Sequence, residues 1–110
     1  MRNFCNALLQ KDKHVLTEKT REKIRVIHAL SVRKNKNRRK KHIDTLLEMV
    51  QEHAKEIRKL QQKNDSHFVI ETGDLLILCM EVILESRKSV DEIMEICIRR
   101  FEKKLTENRD

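Results

Sequence analysis

Two acids separated by two residues, Glu71 and Asp74, stand at the head of the most apolar stretch of the chain, Ile70-Glu71-Thr72-Gly73-Asp74-Leu75-Leu76-Ile77. On a helix this spacing puts their side chains side by side, with Cβ atoms about 5–6 Å apart. Like charges so placed destabilise a helix, and a carboxylate beside an apolar segment is costly unless paired. Magnesium relieves both problems, because it takes one or two carboxylates together with water and substrate phosphate oxygens. A plainer reading needs no metal: both acids lie in the first turns of a helix, where its dipole favours negative charge. Gly73 costs about 1 kcal/mol of helix propensity relative to Ala, and its place between the acids implies close approach of another helix or a ligand.

The second concentration of chemistry is cationic. Arg33, Lys34, Lys36, Arg38, Arg39, Lys40 and Lys41 place seven positive charges within nine residues, equal to the whole net charge of +7. The remainder is balanced, so this is a neutral domain with one basic segment. The commonest fate of such a run is a solvated loop between helices. Arg38, Arg39, Lys40 and Lys41 are also candidates to bind substrate phosphates near the acids. Contact with a nucleic-acid backbone is the third reading, and it ranks last. No aromatics are interleaved for base stacking, and no helix-turn-helix is evident.

Other chemistries find little support. The five histidines (His14, His28, His42, His53 and His67) are never three or four residues apart, and no zinc-ligand pattern is present. Each reads as an interface or surface residue. Of the three cysteines, Cys79 and Cys97 sit inside apolar runs, where thiols are buried and inert. No disulfide framework is expected, which points to a reducing, cytoplasmic setting. No apolar run approaches the length of a membrane span, and the opening stretch lacks the apolar core of a signal peptide.

The elements that must position these groups are helical. The 110 residues contain no Pro and one Gly, with 39% charged and 3% aromatic side chains, so the core must be aliphatic and the turn formers a sheet needs are nearly absent. One helix is predicted from Thr17, its N-cap, to about Val32, with Ile24, Ile27, Ala29 and Leu30 on its apolar face. A second runs from about Ile43 to Lys63, its stripe made by Ile43, Leu46, Leu47, Val50, Ala54, Ile57 and Leu60. Asn64-Asp65-Ser66 reads as a turn. The third helix, about His67 to Ser86, is apolar nearly all round, as a central or dimer-covered helix is. The fourth opens at a Ser89/Glu92 capping box and carries Val90, Ile93, Met94, Cys97, Ile98, Phe101 and Leu105.

Residues 67 to 104, and more loosely 46 to 104, resemble the MazG-like all-α nucleoside triphosphate pyrophosphohydrolases. The resemblance lies in Glu71-Thr72-Gly73-Asp74-Leu75-Leu76, the apolar helix after it, the polar break Glu85 to Ile93, and a last helix ending Arg99-Arg100-Phe101-Glu102-Lys103-Lys104. In that family a metal site combines an ExxE pair on one helix with an ExxD pair on the next, and water cleaves the triphosphate between its α and β phosphates. The resemblance therefore implies that Glu71 and Asp74 are catalytic and metal-binding, with Glu48 and Glu52 as candidate ligands upstream. The upstream pair departs from the pattern. One alignment sets Met49 beside Glu52 and the other sets Gln51 beside Glu48, so one of four carboxylates is missing.

The expectation is thus an all-α, four-helix bundle-like, MazG-like fold, dimeric, with an N-terminal arm over 1–14 and one helical domain over 15–110. The function implied is magnesium-dependent hydrolysis of a nucleoside triphosphate to monophosphate and pyrophosphate, or nucleotide binding by a degenerate relative. The alternative is a noncatalytic helical interaction protein that holds nucleic acid or an acidic partner through residues 33–41.

Overall fold

A computed structural model describes residues 16–36 and 40–107. Four helices make up this part of the chain: α1 (Glu18–Lys34), α2 (His42–Gln62), α3 (Phe68–Glu85) and α4 (Val90–Glu107), with no strand among the described residues. The fold is all-α, as composition predicts. The proposed arm over 1–14 and the candidates Arg38 and Arg39 lie outside the described residues.

Local chemistry sets the helix ends. Thr17 caps α1, its hydroxyl accepting from the Thr20 amide at 3.1 Å. After α2 the chain turns through Asn64, which has φ 58°. The Asp65 amide then donates back to the Leu60 carbonyl at 2.9 Å, closing a Schellman turn. The Asp65 carboxylate accepts from the His67 amide at 2.9 Å and opens α3. A second Schellman turn follows α3, with Arg87 at φ 60° and the Lys88 amide bonded to the Ile83 carbonyl. The Ser89 hydroxyl then accepts from the Glu92 amide at 3.3 Å, which is one half of the predicted capping box.

The link over 63–67 is short, and α2 and α3 make the most extensive contact of any helix pair, so the two form an antiparallel hairpin. Leu46 on α2 is fully buried at 0% exposure, and α3 buries Leu78, Met80 and Glu81. α1 packs on α3 through Ile24, its one buried residue. α4 touches α3 more lightly and buries nothing, leaving Phe101 66% and Leu105 71% exposed.

Three expectations are corrected. α1 does not turn its predicted apolar face inward. Ile27 and Leu30 are exposed, and the less exposed side of the helix bears Arg21, His28, Ser31 and Asn35 beside Ile24. Two ion-paired or hydrogen-bonded histidines make that polar face worth burying. Cys79 is exposed rather than buried, because a helix apolar on most of its circumference does not show from sequence which side meets its neighbours. Gly73 is not approached by another helix: a Cβ built there meets nothing within 4 Å. Among the described residues, no helix is long and apolar enough to cross a membrane.

Gly73 lies inside α3 with open space beside it, so a methyl group there removes unfolded-state freedom and meets no obstacle. Gly73→Ala is expected to raise unfolding stability by about 0.4–1 kcal/mol, read as a higher urea midpoint at unchanged slope.

Candidate functional site

The α2 stripe that faces α3 steps by three and four residues through Leu46, Val50, His53, Ile57 and Leu60, all shielded more than their neighbours. The corresponding α3 stripe is Phe68, Glu71, Leu75, Leu78, Val82 and Glu85. Polar members therefore stand at inward positions on both helices. Near the α2/α3 turn they meet: one ligand atom from each of His53, Glu71 and Asp74 lies within 4.8 Å of the others. His53 Nε2 is 3.6 Å from one Glu71 oxygen, and His67 Nε2 is 3.6 Å from the other.

The histidine's proton is located by its backbone contact. His53 Nδ1 lies 3.0 Å from the Met49 carbonyl oxygen, which can only accept, so Nδ1 bears the hydrogen. In the neutral ring Nε2 is then an open lone pair on the side of the ring where Glu71 lies. At 3.6 Å it is too far from Glu71 for a good hydrogen bond, which leaves room for a cation between them. This backbone-fixed tautomer is the arrangement that metal-binding histidines use.

The ExxD pair is thus brought together, while the upstream acids are not added to it. Glu48 is ion-paired with Lys40, and Glu52 and Glu56 are exposed along the outer side of α2. The third group is His53, from the same helix one position beyond Glu52. Its signal lies in the periodicity: His53 occupies a stripe position between Val50 and Ile57 that an apolar residue would ordinarily fill. Beside the cluster runs a shallow groove of about 270 Å³, lined by Ile27, Met49, His53, Asp74, Ile77 and Leu78.

The remaining described candidates, Lys40 and Lys41, lie elsewhere. Lys41 is the N-cap of α2, twelve residues before His53, which is about 18 Å along the helix axis. Lys40 and Lys41 therefore sit at the start of α2, well away from Glu71 and Asp74. Comparison with family models, curated proteins and solved structures finds no match to the chain.

A readout independent of any ligand follows from the Met49 contact. Long-range ¹⁵N–¹H correlation of the imidazole rings is expected to report the Nδ1–H tautomer for neutral His53. The more common Nε2–H pattern would show that its lone pair does not face Glu71 and Asp74.

Proposed function

We propose that the chain is a MazG-like, divalent-cation-dependent nucleoside triphosphate pyrophosphohydrolase with a reduced ligand set, acting as a homodimer in the cytoplasm. The observation that supports this reading best is the convergence of Glu71, Asp74 and the His53 lone pair on one space. The donor set fits the cation. Two carboxylates suit Mg²⁺, and the added imidazole makes Mn²⁺ an equally good occupant.

Glu71 and Asp74 hold the ion in this reading, and His53 completes the third position. His67, four residues before Glu71, lies 3.6 Å from the other Glu71 oxygen, on the far side of the carboxylate. A divalent cation bound here supplies charge neutralisation for the triphosphate oxygens and polarises the phosphorus under attack. The groove's apolar wall of Ile27, Met49, Ile77 and Leu78 offers a dry surface for a nucleobase beside that centre. Its volume falls just below the usual range for small-molecule sites, about 300–1,000 Å³, and in this reading a second subunit completes it. Exposed apolar side chains argue for the same dimer: Leu76 on α3 and Met94, Ile98, Phe101 and Leu105 on α4 lack cover in one protomer. The phosphate clamp by Arg38, Arg39, Lys40 and Lys41 is not part of this reading, given the distance of Lys41 along α2. The cytoplasmic setting draws on Cys79 and Cys97, both free.

A second reading, a noncatalytic helical protein that binds nucleic acid or an acidic partner through 33–41, draws on one observation. Lys41 is exposed at a helix N-terminus with no partner among the described residues, free to meet a phosphate or carboxylate. Pyrophosphate release across a panel of nucleoside triphosphates with Mg²⁺ or Mn²⁺ separates the two. Turnover by the wild type, abolished in Asp74→Asn with helicity retained, is expected. Absence of turnover and of nucleotide binding with either ion rejects the hydrolase reading. Sedimentation is expected to give a dimer, and a stable monomer would remove that part.

A further inference from the structure

A second polar cluster lies at the other end of the bundle and owes nothing to the acids at Glu71. His28 of α1 is flanked by two acids of α3, with Nδ1 3.3 Å from Glu81 Oε1 and Nε2 3.2 Å from Glu85 Oε2. His42, the first residue of α2, stacks obliquely on it with ring centroids 5.8 Å apart. One ligand atom from each of His28, His42 and Glu85 falls within 4.8 Å of the other two. The three come from three different helices.

We infer that His28, His42 and Glu85 form a binding site for a transition-metal ion of the zinc class, which staples α1 and the start of α2 to α3. Glu81 acts as a positioning residue for His28. Its side chain is 5% exposed, so a carboxylate there needs a partner, and His28 Nδ1 is that partner. With the Nδ1 hydrogen given to Glu81, the neutral ring turns its Nε2 lone pair toward Glu85. Two lone pairs facing each other at 3.2 Å repel unless a proton or a metal ion lies between them. The separation matches the edge of a tetrahedron built on zinc bonds of about 2.0 Å, whose corners lie about 3.3 Å apart.

Carboxylate, histidine and metal in series is the arrangement that orients imidazole ligands in zinc sites. His42 is held in the same manner from behind. Asn35 Nδ2 lies 2.7 Å from its Nδ1, and the site requires this amide turned over, so that Oδ1 accepts the Nδ1 hydrogen and Nε2 is freed as a ligand. Ser31 Oγ, 3.0 Å from that Nε2, gives up this contact when the ion binds. Three protein ligands leave one position for water, and nitrogen donors favour zinc over magnesium. The proposal is independent of the hydrolase reading, since the two clusters share no residue.

The test titrates the metal-stripped full chain with Zn²⁺, and with Co²⁺ as a spectroscopic probe. One tight site per chain is expected, with tetrahedral cobalt absorption and a rise in the thermal midpoint on zinc addition. His42→Ala and Glu85→Gln are expected to abolish the cobalt spectrum, and Glu81→Gln to weaken zinc binding by about 10- to 100-fold. His53→Ala should leave both intact. His42→Cys restores a ligand and is expected to bind cobalt with an added thiolate charge-transfer band, which keeps the assignment testable if His42→Ala unfolds. Absence of tight binding by the wild type overturns the proposal, leaving a bridging imidazolium as the occupant. So does binding lost in His53→Ala, or a His42→Cys protein without the thiolate band.

Discussion

Everything else in this molecule rests on one seam, the line along which α2 and α3 run antiparallel. It buries apolar side chains, with Leu46 near the start of α2 and Leu78 on α3. A chain of this size has little more to draw on: four apolar side chains are buried among the described residues, one of them fully, and α4 adds none. A side chain of that kind contributes about 1.5–3 kcal/mol when buried, so the seam has no surplus. Polar groups are admitted on either side of Leu78 along α3. His53 and Glu71 sit toward the turn, and Glu85 lies at the far end of the same α3 stripe.

The two polar ends apply one electrostatic rule in different surroundings. In each, a histidine has its Nδ1 hydrogen directed to a fixed acceptor, the Met49 carbonyl for His53 and the Glu81 carboxylate for His28. The second nitrogen is thereby turned toward an acid on α3. At the turn the acids are accessible, with Asp74 exposed and an open groove alongside, as exchange of a soluble ligand requires. At the far end Glu81 is buried and the histidines are half-buried, which suits a group that stays in place. Weaker screening there makes each charge matter more.

Much of the architecture could be read directly from residue types. Thr17, the Asn64-Asp65 turn and the Ser89 cap mark helix boundaries because short polar side chains satisfy free amides at helix starts, and these groups act within a few residues of themselves. The ExxD pair was legible for the same reason. What sequence could not supply was the partner brought from a distance. Nothing beside His53 in sequence marks it as a partner of Glu71 and Asp74, although its step from Val50 to Ile57 makes it an inward residue. The facing of α1 is not legible locally because the residues that turn inward beside Ile24 are polar, whereas Ile27, Ala29 and Leu30 carry the apolar signal. A histidine with two acidic partners on another helix outweighs them, and those partners lie 53 and 57 residues away. Cys79 failed in a related way, since periodicity is silent where a helix is apolar on every side.

Glu71 and Glu85 stand fourteen residues apart on one continuous helix, which is nearly four full turns and about 21 Å. They project in almost the same direction, so α3 behaves as a camshaft with a lobe at each end. Turning it by a single residue, about 100°, would carry both acids out of reach of their histidines in the same motion. Neither end can slip alone. Any event that changes the roll of α3, such as a subunit docking on Leu76, is felt at once by two places that never touch.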